Sequence, residues 1–231
     1  ATDPDADRLG VYVKDTKSGE YIALTGNMSG CLLADYEISQ IKETKGLPED
    51  GKLIKTIVTS NLADAIAKYY DVDLIEVLTG FKFIGQQILG FETTGQGKYL
   101  FGFEESYGCL IGTYARDKDA ISATAALCEA AAYYKEKGMT LWDAMVAMYE
   151  KYGYYGERTM NLVMPGLDGL RKMADLMAGL RANPPREVGG TAVTQWKDYQ
   201  DGSVVNVQTG AKSAMELSGS NVLRYEMADG T

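Results

Sequence analysis

Leu53-Ile-Lys-Thr-Ile-Val-Thr-Ser60, Leu62-Ala-Asp-Ala-Ile-Ala-Lys-Tyr-Tyr70 and Asp71-Val-Asp-Leu-Ile-Glu-Val-Leu-Thr79 follow one another almost without a gap. The first run is apolar and β-branched and reads as a strand, the second as a helix and the third as the next strand. Strand, helix, strand predicts a mixed, partly parallel sheet with helices packed on it. Upstream, residues 9–14 and 20–25 are short apolar segments around Thr16-Lys17-Ser18-Gly19, a hairpin pattern. Asn27 is the expected cap of a helix reaching Thr44. Downstream, the Gly-containing Thr93–Lys98 is expected as a hairpin turn, and Tyr99–Phe103 enters a loop that Cys109–Ile111 leaves. Asp119 is placed to cap an Ala-rich helix through Tyr134. Thr140 and Asp143 form a capping-box-like start for a helix ending near Gly153. Composition shifts after Gly153. Arg158–Met164 is expected as a strand and Leu167–Leu180 as an amphipathic helix with its methionines as core filler. Strands are expected from Thr191 to a closing Asp229-Gly230-Thr231 turn, giving an incomplete α+β C-terminal part.

With 231 residues and 45% hydrophobic content, the chain has room for one large domain or two small ones. Its 23 basic and 32 acidic residues give a net charge of −9. That argues against nucleic acid as a partner, because binding it needs a basic surface. An anionic substrate must be held locally, by a few cations or a metal. No apolar run approaches membrane-spanning length and no signal-peptide pattern occurs, so no membrane partner and a cytoplasmic location are expected. Cys31, Cys109 and Cys128 are far apart and odd in number, which suits core packing better than disulfides or zinc. The chain has no histidine, which excludes Ser-His and Cys-His catalysis within it. Proton transfer is left to a carboxylate, a lysine, a tyrosine or the substrate's own phosphate.

Ala1-Thr-Asp-Pro-Asp-Ala-Asp-Arg-Leu-Gly10 carries Asp3, Asp5 and Asp7 at alternate positions with Arg8 directly after them. Three hard oxygen donors suit Mg²⁺ and the adjacent cation suits a phosphate. In a straight strand, residues two apart are roughly 6.6 Å apart, so the segment must curl to bring all three to one ion. An EF-hand is excluded, since its required Gly and Glu positions are held by Arg8 and Lys14. Gly102-Phe-Glu-Glu-Ser-Tyr-Gly108 sets Glu104, Glu105 and Ser106 between glycines, a pattern suited to sugar hydroxyls or to an ordinary polar hairpin tip. In Thr79-Gly-Phe-Lys-Phe-Ile-Gly85, Lys82 between two phenylalanines is either partly desolvated, and so a usable acid or base, or a stem covering apolar surface. Arg116-Asp-Lys-Asp-Ala120 offers Arg116 and Lys118 to a phosphate, or is a solvated helix start.

Together these segments resemble the α-D-phosphohexomutases, and within them the phosphoglucomutase branch. Asp-Pro-Asp-Ala-Asp-Arg is similar to the family's metal loop, and Phe-Glu-Glu-Ser-Tyr-Gly to its sugar loop. Thr-Gly-Phe-Lys-Phe and Arg-Asp-Lys-Asp-Ala resemble further active-site segments. The resemblance implies interconversion of glucose 1-phosphate and glucose 6-phosphate by a phosphoserine, with glucose 1,6-bisphosphate as intermediate and activator. It implies Mg²⁺ on Asp3, Asp5 and Asp7, and Arg8 on the transferring phosphoryl group. It implies Glu104 and Ser106 on sugar hydroxyls and Glu105 shaping the loop. Lys82 would stand beside the sugar phosphate as a catalytic residue that transfers protons, with Arg116 and Lys118 along the cleft. The family's histidine-containing phosphoserine segment and its phosphate-gripping loop have no counterpart here. The expectation is a piece of a longer enzyme: 1–20 a remnant of a second domain, 21–155 the third, 156–231 a linker and incomplete fourth. Such a piece would be inactive alone and would need the remaining domains of the parent. The alternatives are a phosphomannomutase, or a sugar- or metal-binding module without catalysis.

Overall fold

In chain order, the first of two units, Ala1–Gly156, carries β1 (Val11–Lys14), β2 (Tyr21–Leu24), α1 (Gly26–Thr44), β3 (Gly51–Thr56), α2 (Leu62–Tyr70), β4 (Asp73–Val77), α3 (Phe81–Thr94), β5 (Lys98–Phe103), β6 (Cys109–Leu110), α4 (Ala120–Glu136) and α5 (Leu141–Tyr152). The structure is a computed structural model that describes residues 1–230; Thr231, the end of the expected closing turn, lies outside them. The main sheet has the order β4-β3-β5-β6. β3 runs parallel to β4 and β5, while β6 returns antiparallel to β5. The expected mixed, partly parallel sheet is therefore present, with β3 at its centre.

Alternation along β3 sends side chains to two cores. Leu53 joins Cys31, Leu32 and Ile38 of α1, Ile66 of α2 and Met145 of α5. Ile54 joins Val77 and Phe81, Ile84 and Ile88 of α3. A strand buried on both faces has no polar alternation, which explains the continuous apolar run. Two polar residues of β3, Lys55 and Thr56, are nonetheless fully buried, and Lys55 is matched by Asn61 Oδ1 at 3.0 Å and by the Asp64 and Glu76 carboxylates. On the same side Asp35 of α1 accepts from Tyr70 of α2 at 3.0 Å and from Tyr152 of α5, with Lys151 at 3.4 Å. One carboxylate thus ties three helices together.

Several boundaries differ from expectation. Thr25, not Asn27, caps α1, its Oγ1 accepting the Met28 N–H at 3.1 Å. Asn27 instead accepts the Ser60 N–H at 3.0 Å. β3 stops at Thr56, and β4 starts at Asp73 because Asp71 is the left-handed end of α2. Thr93–Lys98 is no hairpin: it closes α3 at Gly95, φ +71°, and leads into a strand parallel to β3. The predicted caps of α4 and α5 are present, with Asp119 accepting from Ile121 and Ser122, and a full Thr140–Asp143 capping box.

The second unit, Glu157–Thr231, contains α6 (Gly166–Ala182), β7 (Glu187–Val188), β8 (Thr191–Asp198), β9 (Ser203–Asn206), β10 (Lys212–Ala214) and β11 (Leu223–Met227). Its antiparallel sheet has the order β10-β9-β8-β11, with β7 paired to β8. Arg181 of α6 grips Asp198 of β8 at 2.7 Å. Arg158–Met164 forms no strand; Met160, Leu162 and Val163 are exposed and find no ladder partner among the described residues. The α6 methionines are not core filler, since Gly169 alone of that helix is buried among the described residues.

Glu37 of α1 has its carboxyl raised above the ordinary value, first by burial and then by the charge of Glu129 on α4. A raised carboxyl favours the folded state below the unfolded-state pKa and loses that contribution as pH rises through the folded value. Glu37→Gln is therefore expected to raise the melting temperature at pH 7–8, and the gain should vanish near pH 4. Thermal melts across that range check it.

Candidate functional site

The Asp3–Asp7 segment curls because its own first carboxylate folds it. Asp3 Oδ1 accepts the amide N–H of Asp7 at 3.2 Å and of Arg8 at 3.1 Å. The Ala6 N–H donates to the Asp3 carbonyl at 3.1 Å, and Ala6 itself is left-handed at φ +56°. The result meets the geometric condition set by the spacing: carboxylate oxygens of Asp3, Asp5 and Asp7 lie within 4.8 Å of one another. Burial alone would raise the Asp3 carboxyl, but hydrogen bonding around it, first from the Arg8 amide, outweighs burial and holds it below the ordinary value. Asp7 Oδ2 takes the Lys118 ammonium at 2.7 Å. Asp7 Oδ1 is buried with no hydrogen-bond partner among the described residues, and Arg8 Nε stands 3.7 Å from it.

The Glu104–Gly108 loop joins β5 to β6 and is closed by the Glu104 N–H on the Gly108 carbonyl at 2.8 Å. Glu104 is buried and its Oε1 accepts the Gly80 N–H at 3.0 Å. Burial, aided by the charge of Glu105, raises its carboxyl despite the opposing charge of Lys118. Glu105 Oε2 accepts from the hydroxyls of Thr56 at 3.1 Å and Thr59 at 3.3 Å. Ser106 is half-buried between them and the exposed Tyr107. Helix α1 is pressed onto this loop: a Cβ on Gly26 would sit 2.0 Å from the Glu105 carbonyl oxygen.

The two loops share backbone. Arg8 and Gly108 form an antiparallel bridge, and the Leu9 N–H donates to the Tyr107 carbonyl at 3.1 Å. The Ala120 N–H, at the start of α4, reaches the Ala6 carbonyl at 3.0 Å. Lys118 completes the junction, and Gly108 gives its stem room, since a Cβ there would lie 2.3 Å from Lys118 Cδ. Burial opposes the charge on Lys118, but hydrogen bonds to Asp7 and Asp117 prevail and its pKa is raised.

Two further residues read from sequence lie on the surface. Lys82, in the first turn of α3, is exposed with its ammonium 4.9 Å from the Phe83 ring, so the partly desolvated alternative does not hold. Arg116 is exposed too, and its guanidinium caps the Thr113 carbonyl at 2.7 Å and pairs with Glu92 of α3. The reading from sequence missed Gly26, Thr56 and Thr59, and gave Gly80 no role of its own. Thr-Ile-Val-Thr-Ser60 carried a signal, because two hydroxyls at a strand exit are available to a neighbouring loop.

The Gly26 contact is steep enough to measure. Gly26→Ala drives a methyl into backbone, which cannot swing away, and is expected to cost about 2–3 kcal/mol. Gly90→Ala on α3, where no atom lies within 4 Å, is expected to be neutral or stabilising by up to ~1 kcal/mol. Urea unfolding of both variants checks the pair.

Comparisons with known proteins bear on the family and the fold. The family description "Phosphoglucomutase/phosphomannomutase, alpha/beta/alpha domain III" matches residues 25–152, more than half of the chain. Phosphoglucomutase of Staphylococcus aureus strain N315 is 35% identical over 230 residues, covering 100% of this chain and 40% of that protein. The chain therefore spans less than half the length of this curated relative. Among solved structures, the Paramecium phosphoglucomutase pp63/parafusin in its open form aligns over 100% of this chain and 36% of its own, with a TM-score of 0.59 at 21% identity. A putative phosphomannomutase of Thermus thermophilus aligns over 66% of this chain and 30% of its own, with a TM-score of 0.51 at 22% identity. The chain belongs to the phosphoglucomutase/phosphomannomutase family, and its β3-centred unit carries that family's alpha/beta/alpha domain III.

Proposed function

We propose that this chain is the sugar- and metal-gripping part of a phosphoglucomutase that interconverts glucose 1-phosphate and glucose 6-phosphate by way of a phosphoserine on another domain. The observation that supports it best is the junction of the two loops, which puts three carboxylates and a cation beside a second set of sugar-type ligands. In this reading 1–20 ends a preceding domain, 21–155 is the third and 156–231 a linker and incomplete fourth. The 40% coverage of the Staphylococcus relative agrees with further domains in the parent. No helix among the described residues is long and apolar enough to cross a membrane, and we take a cytoplasmic site of action.

The carboxylate loop fits a divalent cation: it offers hard oxygens only, and one buried oxygen of Asp7 lacks a hydrogen-bond donor among the described residues. Asp3, Asp5 and Asp7 would hold Mg²⁺, which when bound supplies positive charge against a phosphoryl oxygen. Arg8, half-exposed beside Asp7, would hold the phosphoryl group in transfer. Glu104 and Ser106 would accept from and donate to sugar hydroxyls, and Glu105 would keep their loop in shape. Lys118, already between the loops, and Arg116 would line the cleft, Arg116 only by leaving Glu92. Lys82, exposed at the start of α3, is free to reach a sugar phosphate as a point charge. Phosphoryl transfer asks mainly for positioning and charge neutralisation, and these groups supply both.

The test is a coupled assay of glucose 1-phosphate conversion with Mg²⁺ and a trace of glucose 1,6-bisphosphate, on this chain and on the protein extended at both ends. Turnover is expected in the extended protein only, abolished by EDTA and reduced at least about a hundredfold by Asp7→Asn. Mannose 1-phosphate in place of glucose 1-phosphate, turned over faster, would overturn the assignment to glucose.

A further inference from the structure

Thr56 and Thr59 belong to no motif that carries the proposed chemistry, yet they are buried, at 0% and 4% exposure, directly under the sugar loop. Thr56 ends the central strand β3, and Thr59 lies three residues on, in the turn before α2. Their hydroxyl oxygens are 2.8 Å apart. Each already accepts from backbone: the Thr56 N–H donates to Thr59 Oγ1 at 3.3 Å, and the Val58 N–H to Thr56 Oγ1 at 3.4 Å. Each hydroxyl has one proton to give, and the 2.8 Å contact between them can take one of the two, with either as donor. The carboxylate within reach of both is Glu105, whose Oε2 lies at 3.1 and 3.3 Å. A hydrogen bond to a charged acceptor in a partly buried site is worth more than a neutral one, and losing it leaves the carboxylate with fewer donors there.

Resting on the reading above, we propose that Thr56 and Thr59 are positioning residues that set the sugar loop through the Glu105 carboxylate. The main chain of Glu105 packs closely against Gly26, and its two neighbours are the proposed sugar ligands Glu104 and Ser106. Holding the middle residue by its carboxylate, with Gly26 packed close against its carbonyl, leaves the flanking side chains little freedom to drift. Asn27 braces the same turn by accepting the Ser60 N–H, so the hydroxyl pair stands on a floor shared with the start of α1. The centre of the sheet thereby dictates where the loop between β5 and β6 presents its ligands.

The experiment is steady-state kinetics of the extended protein carrying Thr59→Val, Thr56→Val with Thr59→Val, and the corresponding serine variants, with melting temperatures for each. Valine keeps the shape and removes the proton; serine restores it. KM for glucose 1-phosphate is expected to rise about tenfold in Thr59→Val and further in the double variant, with kcat within about threefold of wild type. The serine variants should stay within about twofold of the wild-type KM. A folded double valine variant with the wild-type KM overturns the proposal, and so does a serine variant as impaired as its valine counterpart. Should the valine variants not fold, Glu105→Gln removes the charge from the other end; a raised KM there supports the proposal and an unchanged one overturns it. Wild-type protein without hexose phosphate turnover overturns the preceding reading and this one with it, whereas turnover with unchanged KM values overturns this one alone.

Discussion

The backbone junction between residues 8–9 and 107–108 is the constraint on which the site depends. Two loops far apart in sequence become one structure through an Arg8–Gly108 bridge and the Leu9-to-Tyr107 hydrogen bond. Backbone pairing is short-range and directional, so it fixes the relative placement of the flanking side chains more tightly than any ion pair could. Lys118 then needs only to span a small gap to reach Asp7. Gly108 leaves room for that span, because any larger residue would occupy the lysine's path.

The rest of the first unit holds this junction still. Parallel β3 and β5 end on the same side of the sheet, and their exits supply Thr56 with Thr59 and Glu104 with Glu105. The arrangement follows the general tendency of α/β sheets to gather ligands at the carboxyl ends of their strands. Helix α1 comes close enough to touch because Gly26 and Gly30 present no side chain to the Glu105 carbonyl and the Phe103 ring. On the far side of α1, Asp35 with two tyrosines and a lysine ties α1 to α2 and α5. The same helix is thus held at its N-terminus by close packing and at its middle by a buried charge.

The electrostatics follow a consistent division. Asp3 carries backbone donors and stays readily ionised, while Glu104, buried and near a second carboxylate, has its carboxyl raised. The first suits a cation, and the second suits a group that exchanges hydrogen bonds with neutral hydroxyls. A chain with net charge −9 must concentrate its cations to receive an anion, and Arg8 and Lys118 stand beside the carboxylate loop to do so.

Much of this was legible in the amino-acid order. Local patterns determined the strand-helix-strand core, the Asp119 cap, the Thr140–Asp143 capping box and the alternation of Asp3, Asp5 and Asp7, because each rests on residues within a few positions of one another. The parallel pairing of β3 with β5 is not local, so the Gly95 turn, which ends a helix, reads from sequence as a hairpin. Arg158–Met164 has β-branched and apolar residues but no neighbouring strand to pair with among the described residues, and propensity without a partner makes no ladder. Lys82 between two phenylalanines stayed exposed because helical spacing turns adjacent residues to different faces. Which residues meet was decided by tertiary structure alone: Arg8 with Gly108, Asp7 with Lys118, Glu105 with Thr56 and Thr59. Those contacts join positions about fifty or more residues apart, or about a hundred for the two loops, and only the folded sheet brings them within hydrogen-bond reach.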